Sequence, residues 1–215
     1  MKKVITYFII INFMISGFVY AQDGIKLIEN LGSSDWNARF QAARTIQRKE
    51  VKAKECIEPL LVALSNECQT VTESEEISHR LKQTYRLTLV SVLEDDKKAA
   101  IDLLHKRKED NNSSFRNEII ILLGQLGDKA VFDSLMDMLA SSKDGYARSD
   151  AAMALGFIGD NRAIPVLEKV SLEDEFIITS HDVIIPLVRE SAKCALKQLG
   201  ASPDKWKTRS VTNER

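Results

Sequence analysis

Two stretches of the chain align without a gap at an offset of 32 residues: "FRNEIIILLGQLGDKAVFDSLMDML", Phe115 to Leu139, and "ARSDAAMALGFIGDNRAIPVLEKVS", Ala147 to Ser171. Arg116 falls on Arg148, Leu123-Gly124 on Leu155-Gly156, and Gly127-Asp128 on Gly159-Asp160. A third copy, "VRESAKCALKQLG" from Val188 to Gly200, sets Arg189, Ala192, Ala195, Leu196 and Gly200 at the same points. A fourth, "ARFQAARTIQR" from Ala38 to Arg48, matches through Arg39, Ala42, Ala43 and Ile46. Self-similarity at such a period is the signature of a solenoid, because each unit is one supersecondary element that can bury its apolar face only against its neighbours. Arg39 and Arg116 are 77 residues apart, so a degenerate unit must lie between them, with Arg80 or Arg86 as its arginine.

Within each copy the apolar residues recur at helical intervals. Ala147, Ala151, Leu155 and Ile158 form one stripe, which Ala152 and Ala154 widen with side chains small enough for close helix approach. Asp144 is placed as an N-cap, Gly159 as a left-handed C-terminal residue, and Pro165 in a first turn where no donor is lost. Alternating patterns are nearly absent, and helices are expected at 24–31, 35–49, 53–66, 73–94, 97–108, 113–126, 129–141, 145–157, 162–172 and 186–199. The reading is all-α: an α-solenoid of about five antiparallel helix pairs over residues 22–200, with a short terminal helix and tail over 201–215.

The segments "DGYARSDAAMALGFIGDNRAIPVLEKV" and "VRESAKCALKQLG", with "DWNARFQAARTI" and "SSFRNEIIILLGQLGDKAVFDSL" as weaker copies, make the chain resemble the HEAT repeat family, in the short bacterial form called the PBS-lyase HEAT-like repeat. The resemblance implies a ladder of acid and arginine along the stack, in which Arg148 and Arg116 would take part. Asp144 and Asp35 also stand four residues before Arg148 and Arg39, a spacing that permits a simple pair within one helix. Arg189 has Ile185 at that place. On either account Arg39, Arg116, Asp144, Arg148 and Arg189 are structural.

The first residues, "MKKVITYFIIINFMISGFVYAQDG", join Lys2 and Lys3 to an apolar run and a small residue at Ala21, the layout of a signal peptide over 1–21. The alternative is a membrane anchor over residues 4–20, since that run is near the lower limit for a spanning helix. The expected location is exported, periplasmic or secreted. Lys and Arg number 30 against 31 Asp and Glu, so no field of either sign is available to collect nucleic acid. Three cysteines make no disulfide framework, and Cys56 and Cys68, on one helix, are too far apart to bridge; buried free thiols or a pairing through Cys194 stay open.

Candidate chemistry is sparse. His79, His105 and His181 have no metal-ligand spacing and read as surface residues, and no phosphate-cradle or nucleophile-elbow motif occurs. Deoxyhypusine hydroxylases resemble the chain in their helical pairs but, as that resemblance implies, take iron through repeated His-Glu steps, a dipeptide missing here. HEAT-like DNA glycosylases use a basic aromatic groove, and phycobilin lyases use the repeat as scaffold; neither suits this chain. Spacing breaks once: Arg148 to Arg189 is 41 residues rather than 32, the excess lying in "EDEFIITSHDVIIP", Glu173 to Pro186. Insertions in repeat proteins gather on the binding face, so Phe176, Ile177, Ile178, His181 and Ile184 are candidate partner contacts; the rival is that they fold back and cap the last pair. The expectation is a scaffold without catalytic residues, cofactor or metal, binding a protein or peptide in a bacterial envelope and touching membrane only if the leader is retained. The alternative is an accessory subunit or lyase-like enzyme holding a small ligand in the groove.

Overall fold

The computed structural model describes residues 24–48, 53–69, 74–180, 183–202, 204 and 206. The leader, His181 and most of the tail lie outside the described residues. Helix dominates: α1 (24–31), α2 (Trp36–Arg48), α3 (Ala53–Gln69), α4 (Glu75–Leu93), α5 (Lys97–Arg107), α6 (Ser113–Gln125), α7 (Phe132–Ser141), α8 (Gly145–Ile158), α9 (Ile164–Glu173) and α10 (Leu187–Gln198). Each helix expected between residues 24 and 199 is present. Asp144 caps α8 as expected, and the side chains of Ser74, Asp96 and Asn112 likewise accept N–H bonds at the starts of α4, α5 and α6. Gly127, Gly159 and Gly200, each eleven residues beyond its repeat arginine, take φ of 77°, 75° and 68°, where a side chain would be strained.

The helices divide into two compact units, one running to Asp95 and the other starting at Asp96. In the first, α2 and α3 both pack on α4. Phe40, Ala42, Ala43 and Ile46 from α2 meet a core that includes Leu60, Leu61, Leu64, Leu81, Tyr85 and Leu89. The Thr88 hydroxyl donates to the Ala43 carbonyl at 3.3 Å, tying α4 to α2. The Arg80 guanidinium stands 4.7 Å above the Phe40 ring centroid, and Arg86 is fully buried. The burial register of α4 gives the repeat position to a different residue. Counted from Arg116, Arg148 and Arg189, the second, third, sixth and seventh residues onward are nearly all buried. In α4 that pattern, Thr84, Tyr85, Thr88 and Leu89, counts from Lys82. Lysine has kept the charge there without the planar fork that makes the other copies recognisable.

In the second unit α6, α8 and α10 lie side by side, α7 packs on α8, and α9 on α10. The first-helix layer closes through its smallest residues. A Cβ on Gly124 would stand 2.9 Å from the Ala154 Cβ, and one on Gly156 only 2.9 Å from the Ala195 Cα. Both glycines are eight residues after the repeat arginine, and both alanines six after it, so one small-on-small contact is used twice. Ala151, Ala152, Ala154, Ala192 and Ala195 are fully buried around it, and Trp206 is buried as well. Ser149 and Ser191 add a hydrogen bond of 2.7 Å between α8 and α10.

Gly156→Ala separates propensity from packing. Helix propensity favours alanine by about 1 kcal/mol, whereas forcing a methyl against backbone costs about 1–3 kcal/mol. The expected net result is destabilisation and a Tm lower by several degrees in a thermal melt. A raised Tm would mean that α10 yields and the contact is not close packing.

Candidate functional site

The repeat arginines bond to partners other than the acids four residues before them. Asp144 and Asp35 cap their helices, accepting from the N–H groups of Tyr146 and Asn37. Three of them instead donate to the carbonyl six residues back, in the loop before their own helix: Arg39 to Ser33 at 2.9 Å, Arg116 to Asp110 at 2.7 Å and Arg148 to Ser142 at 2.8 Å. A charged donor thus pins the loop whose carbonyls would otherwise face a helix end unpaired. Arg39 also reaches Glu67 at 3.5 Å, in the first unit. Burial pushes the adjacent Tyr85 phenol up to about 12, with Glu67 adding to the rise and Arg39 opposing it.

A ladder rung does exist where α8, the end of α9 and α10 meet. Asp174 takes a two-pronged bond from Arg148, Nε to Oδ2 at 2.7 Å and Nη2 to Oδ1 at 3.1 Å. Its backbone carbonyl accepts from Arg189 Nε. One residue therefore joins the arginines of two successive copies, Arg189 included. Burial works against the Asp174 charge, but the Arg148 hydrogen bonds and the Phe176 N–H outweigh it and hold the carboxyl below its usual value. Neither Asp174 nor Glu67 stood out in the sequence, because their distances to the arginines, 26 and 28 residues, are contacts across a helix pair rather than along a helix.

The nine-residue excess does not pack as one piece. Phe176 folds back: its ring meets Tyr146 edge-on at 5.1 Å between centroids and occupies the space a Cβ on Gly145 would need. Beyond it the chain forms a hairpin, β1 (Ile178–Ser180) and β2 (Val183–Ile185), with Thr179 opposite Ile184. Ile178 and Ile185 are half-buried on one face, while Ile177 and Ile184 stand 54% and 66% exposed on the other. His181 lies outside the described residues.

Elsewhere, all three thiols are free; burial, then Glu55, raises the Cys56 thiol away from reactivity. His105, read as a surface residue, is bound: its Nε2 lies 2.6 Å from Asp128 Oδ2. Asp128 also caps the 3-10 turn Lys129–Val131 through Ala130 N–H. A separation of 23 residues hid that pair.

Two outcomes check these assignments. Asp174→Asn should cost about 2 kcal/mol at pH 7, the range for hydrogen bonds to charged groups. Because the folded carboxyl lies below its unfolded value near 3.9, this stability is fully present above that value and is lost as pH falls through the folded one. Urea unfolding at pH 7 and near pH 3 should show the wild-type advantage shrinking in acid. Phe176→Ala should cost about 2 kcal/mol, and Ile184→Ser less than about 0.5 kcal/mol; the reverse order would put the outer hairpin face in the core.

A family model described as HEAT repeats matches residues 81–155 and 98–185. Eight curated relatives carry the name deoxyhypusine hydroxylase. That of Schizosaccharomyces pombe is 28% identical over 120 residues, 54% of this chain and 38% of the relative. That of Aspergillus clavatus is 34% identical over 89 residues, 41% of this chain and 27% of the relative. That of Gallus gallus is 34% identical over 74 residues, 34% of this chain and 25% of the relative. The chain thus spans well under half the length of each. These relatives correct three expectations: an enzyme's name overturns both the non-catalytic scaffold and the absence of enzymatic function, and their sources, fungi and chicken, overturn the exported, periplasmic location. Among the described residues no helix is long and apolar enough to cross a membrane. The match names HEAT repeats in general and not the bacterial lyase-type form; through residues 81–185, the chain belongs to the HEAT-repeat family.

Proposed function

We propose that the chain holds a small ligand against its HEAT repeats in an enzymatic reaction, as a ligand-holding enzyme or as the accessory subunit of one. The observation that supports this reading is the shared name of the relatives, which describes an enzyme acting on deoxyhypusine. A repeat stack is suited to holding a ligand, because its rigid layer of closely packed first helices leaves loops and turns at the helix ends free to vary.

Iron held by repeated His-Glu steps is not part of the proposal, because the donor set does not fit. Among the described residues no group of three or more His, Cys, Asp or Glu side chains stands together to hold a metal. His79 and His105 belong to different units, and His105 is already bound to Asp128. The exposed outer face of the hairpin, Ile177 and Ile184, is the proposed contact with protein, whether substrate or companion subunit.

Native mass spectrometry of the full chain mixed with a deoxyhypusine-containing peptide tests the reading, followed by the intact mass of the peptide over time. A one-to-one complex is expected. A changed peptide mass then marks catalysis by the chain itself, and an unchanged mass the accessory role. No complex up to about 1 mM, a binding free energy weaker than about −4 kcal/mol, together with an unchanged peptide would overturn it.

A further inference from the structure

Asp128 and Asp160 occupy the same repeat position, one residue after a glycine with positive φ. Both cap the 3-10 turn that follows, each through Oδ1: Asp128 accepts from Ala130 N–H and Asp160 from Arg162 N–H, both at 3.0 Å. They differ in what the second oxygen does. In the later copy Arg162 takes it at 2.8 Å, a bond made within the turn itself. In the earlier copy the corresponding residue is alanine, and the imidazole of His105 comes from α5 to take Oδ2 at 2.6 Å. In the later copy an arginine two residues on supplies the donor. His105 is therefore a substitution of a permanent cation by a group that can exchange a proton.

We propose that His105 and Asp128 form a proton-accepting pair, with His105 Nδ1 as the acceptor and Asp128 as the residue that positions it. An ionised carboxylate only accepts, so Oδ2 requires a proton on Nε2, and in the neutral ring that places the lone pair on Nδ1. The cap to Ala130 fixes the carboxylate in turn. The His105 side chain is 32% exposed, so the ring reaches the surface. Two lysines flank the same turn: Lys129 follows Asp128 in sequence, and Lys97 Nζ lies 3.7 Å from where a Cβ on Gly127 would stand. The class of ligand is a small molecule with an anionic group and an acidic O–H or N–H. Its proton passes to Nδ1, the bonding pair stays on the ligand oxygen or nitrogen, and the imidazolium so formed is neutralised by Asp128. Nothing is oxidised or reduced. The ligand rests on the proposed ligand-holding function; the state of the imidazole does not, and it is measured without any ligand.

Asp128→Asn is the discriminating variant. Its Oδ1 can keep the cap on Ala130, which turns an NH2 toward His105. A ring nitrogen receiving an N–H cannot carry a proton, so the tautomer inverts and Nδ1 is no longer basic. Long-range proton–nitrogen NMR of the labelled full chain at pH 8 should show Nε2–H for His105 in the wild type and Nδ1–H in Asp128→Asn. Carbethoxylation of His105 by diethyl pyrocarbonate should fall at least about tenfold in the variant, with His79 as internal reference and a thermal melt to show that the variant is folded. Inorganic phosphate should slow the wild-type reaction and have no effect in Lys97→Ala/Lys129→Ala. An Nδ1–H tautomer in the wild type, or the same tautomer and rate in both proteins, overturns the proposal while leaving the ligand-holding reading intact. No protection by phosphate overturns the anionic class of ligand.

Discussion

The second unit depends on how closely its first helices approach. Gly124 against Ala154 and Gly156 against Ala195 bring α6, α8 and α10 near enough that no side chain longer than a methyl fits between them. The rest follows from that distance. Alanines bury little apolar surface each, so the layer gains from many short van der Waals contacts rather than from a few large side chains. The larger residues go to the interface with the second helices, where Leu135, Leu139 and Leu167 are buried. The tight layer also explains why each copy ends in a left-handed glycine: the chain must reverse within a few residues to lay α7 on α8 and α9 on α10.

Arginine plays the complementary part at the other end of the helices. It ties the entering loop to its own helix and, through Asp174, one copy to the next. A guanidinium suits this because it can bond a carbonyl and a carboxylate in different directions at once. The close helix layer fixes the spacing along the stack, and the arginines fix where each copy begins. Lys82 shows the limit of the second requirement: the burial register survives there without the fork.

What was legible follows from interaction range. Ten helices, the Asp144 cap and the left-handed Gly159 were readable because they depend on residues within about four of one another, and the period because it repeats. Lys82 escaped notice because it is a position defined by burial, with no residue identity to match. Asp174 and the pairing of His105 with Asp128 were hidden because their partners are brought together only by helices packing side by side. The apolar insertion was recognisable, but not its division, since whether Phe176 turns inward depends on the space left by Gly145 in another helix. Function was illegible for a different reason: poverty in reactive groups is a trait of scaffolds, yet relatives with the same repeat carry an enzyme's name.

A repeat protein constrains most of its residues by copying, so chemistry can enter only where a copy is released from a demand its neighbours meet. The turn after α6 is such a place. In the two copies with a capping carboxylate, the demands are that cap and a donor to its second oxygen; the turn after α8 meets both within itself, through Asp160 and Arg162, and that pair holds the Asp160 carboxyl at about 2. The earlier copy meets the first demand with Asp128 and leaves the second open by having Ala130, which lets a histidine from a preceding helix fill it. An arginine two residues on fills the same place in the later copy. The exchange therefore marks a position where the fold's needs are satisfied by a residue whose further capacity, to accept a proton, the fold does not use.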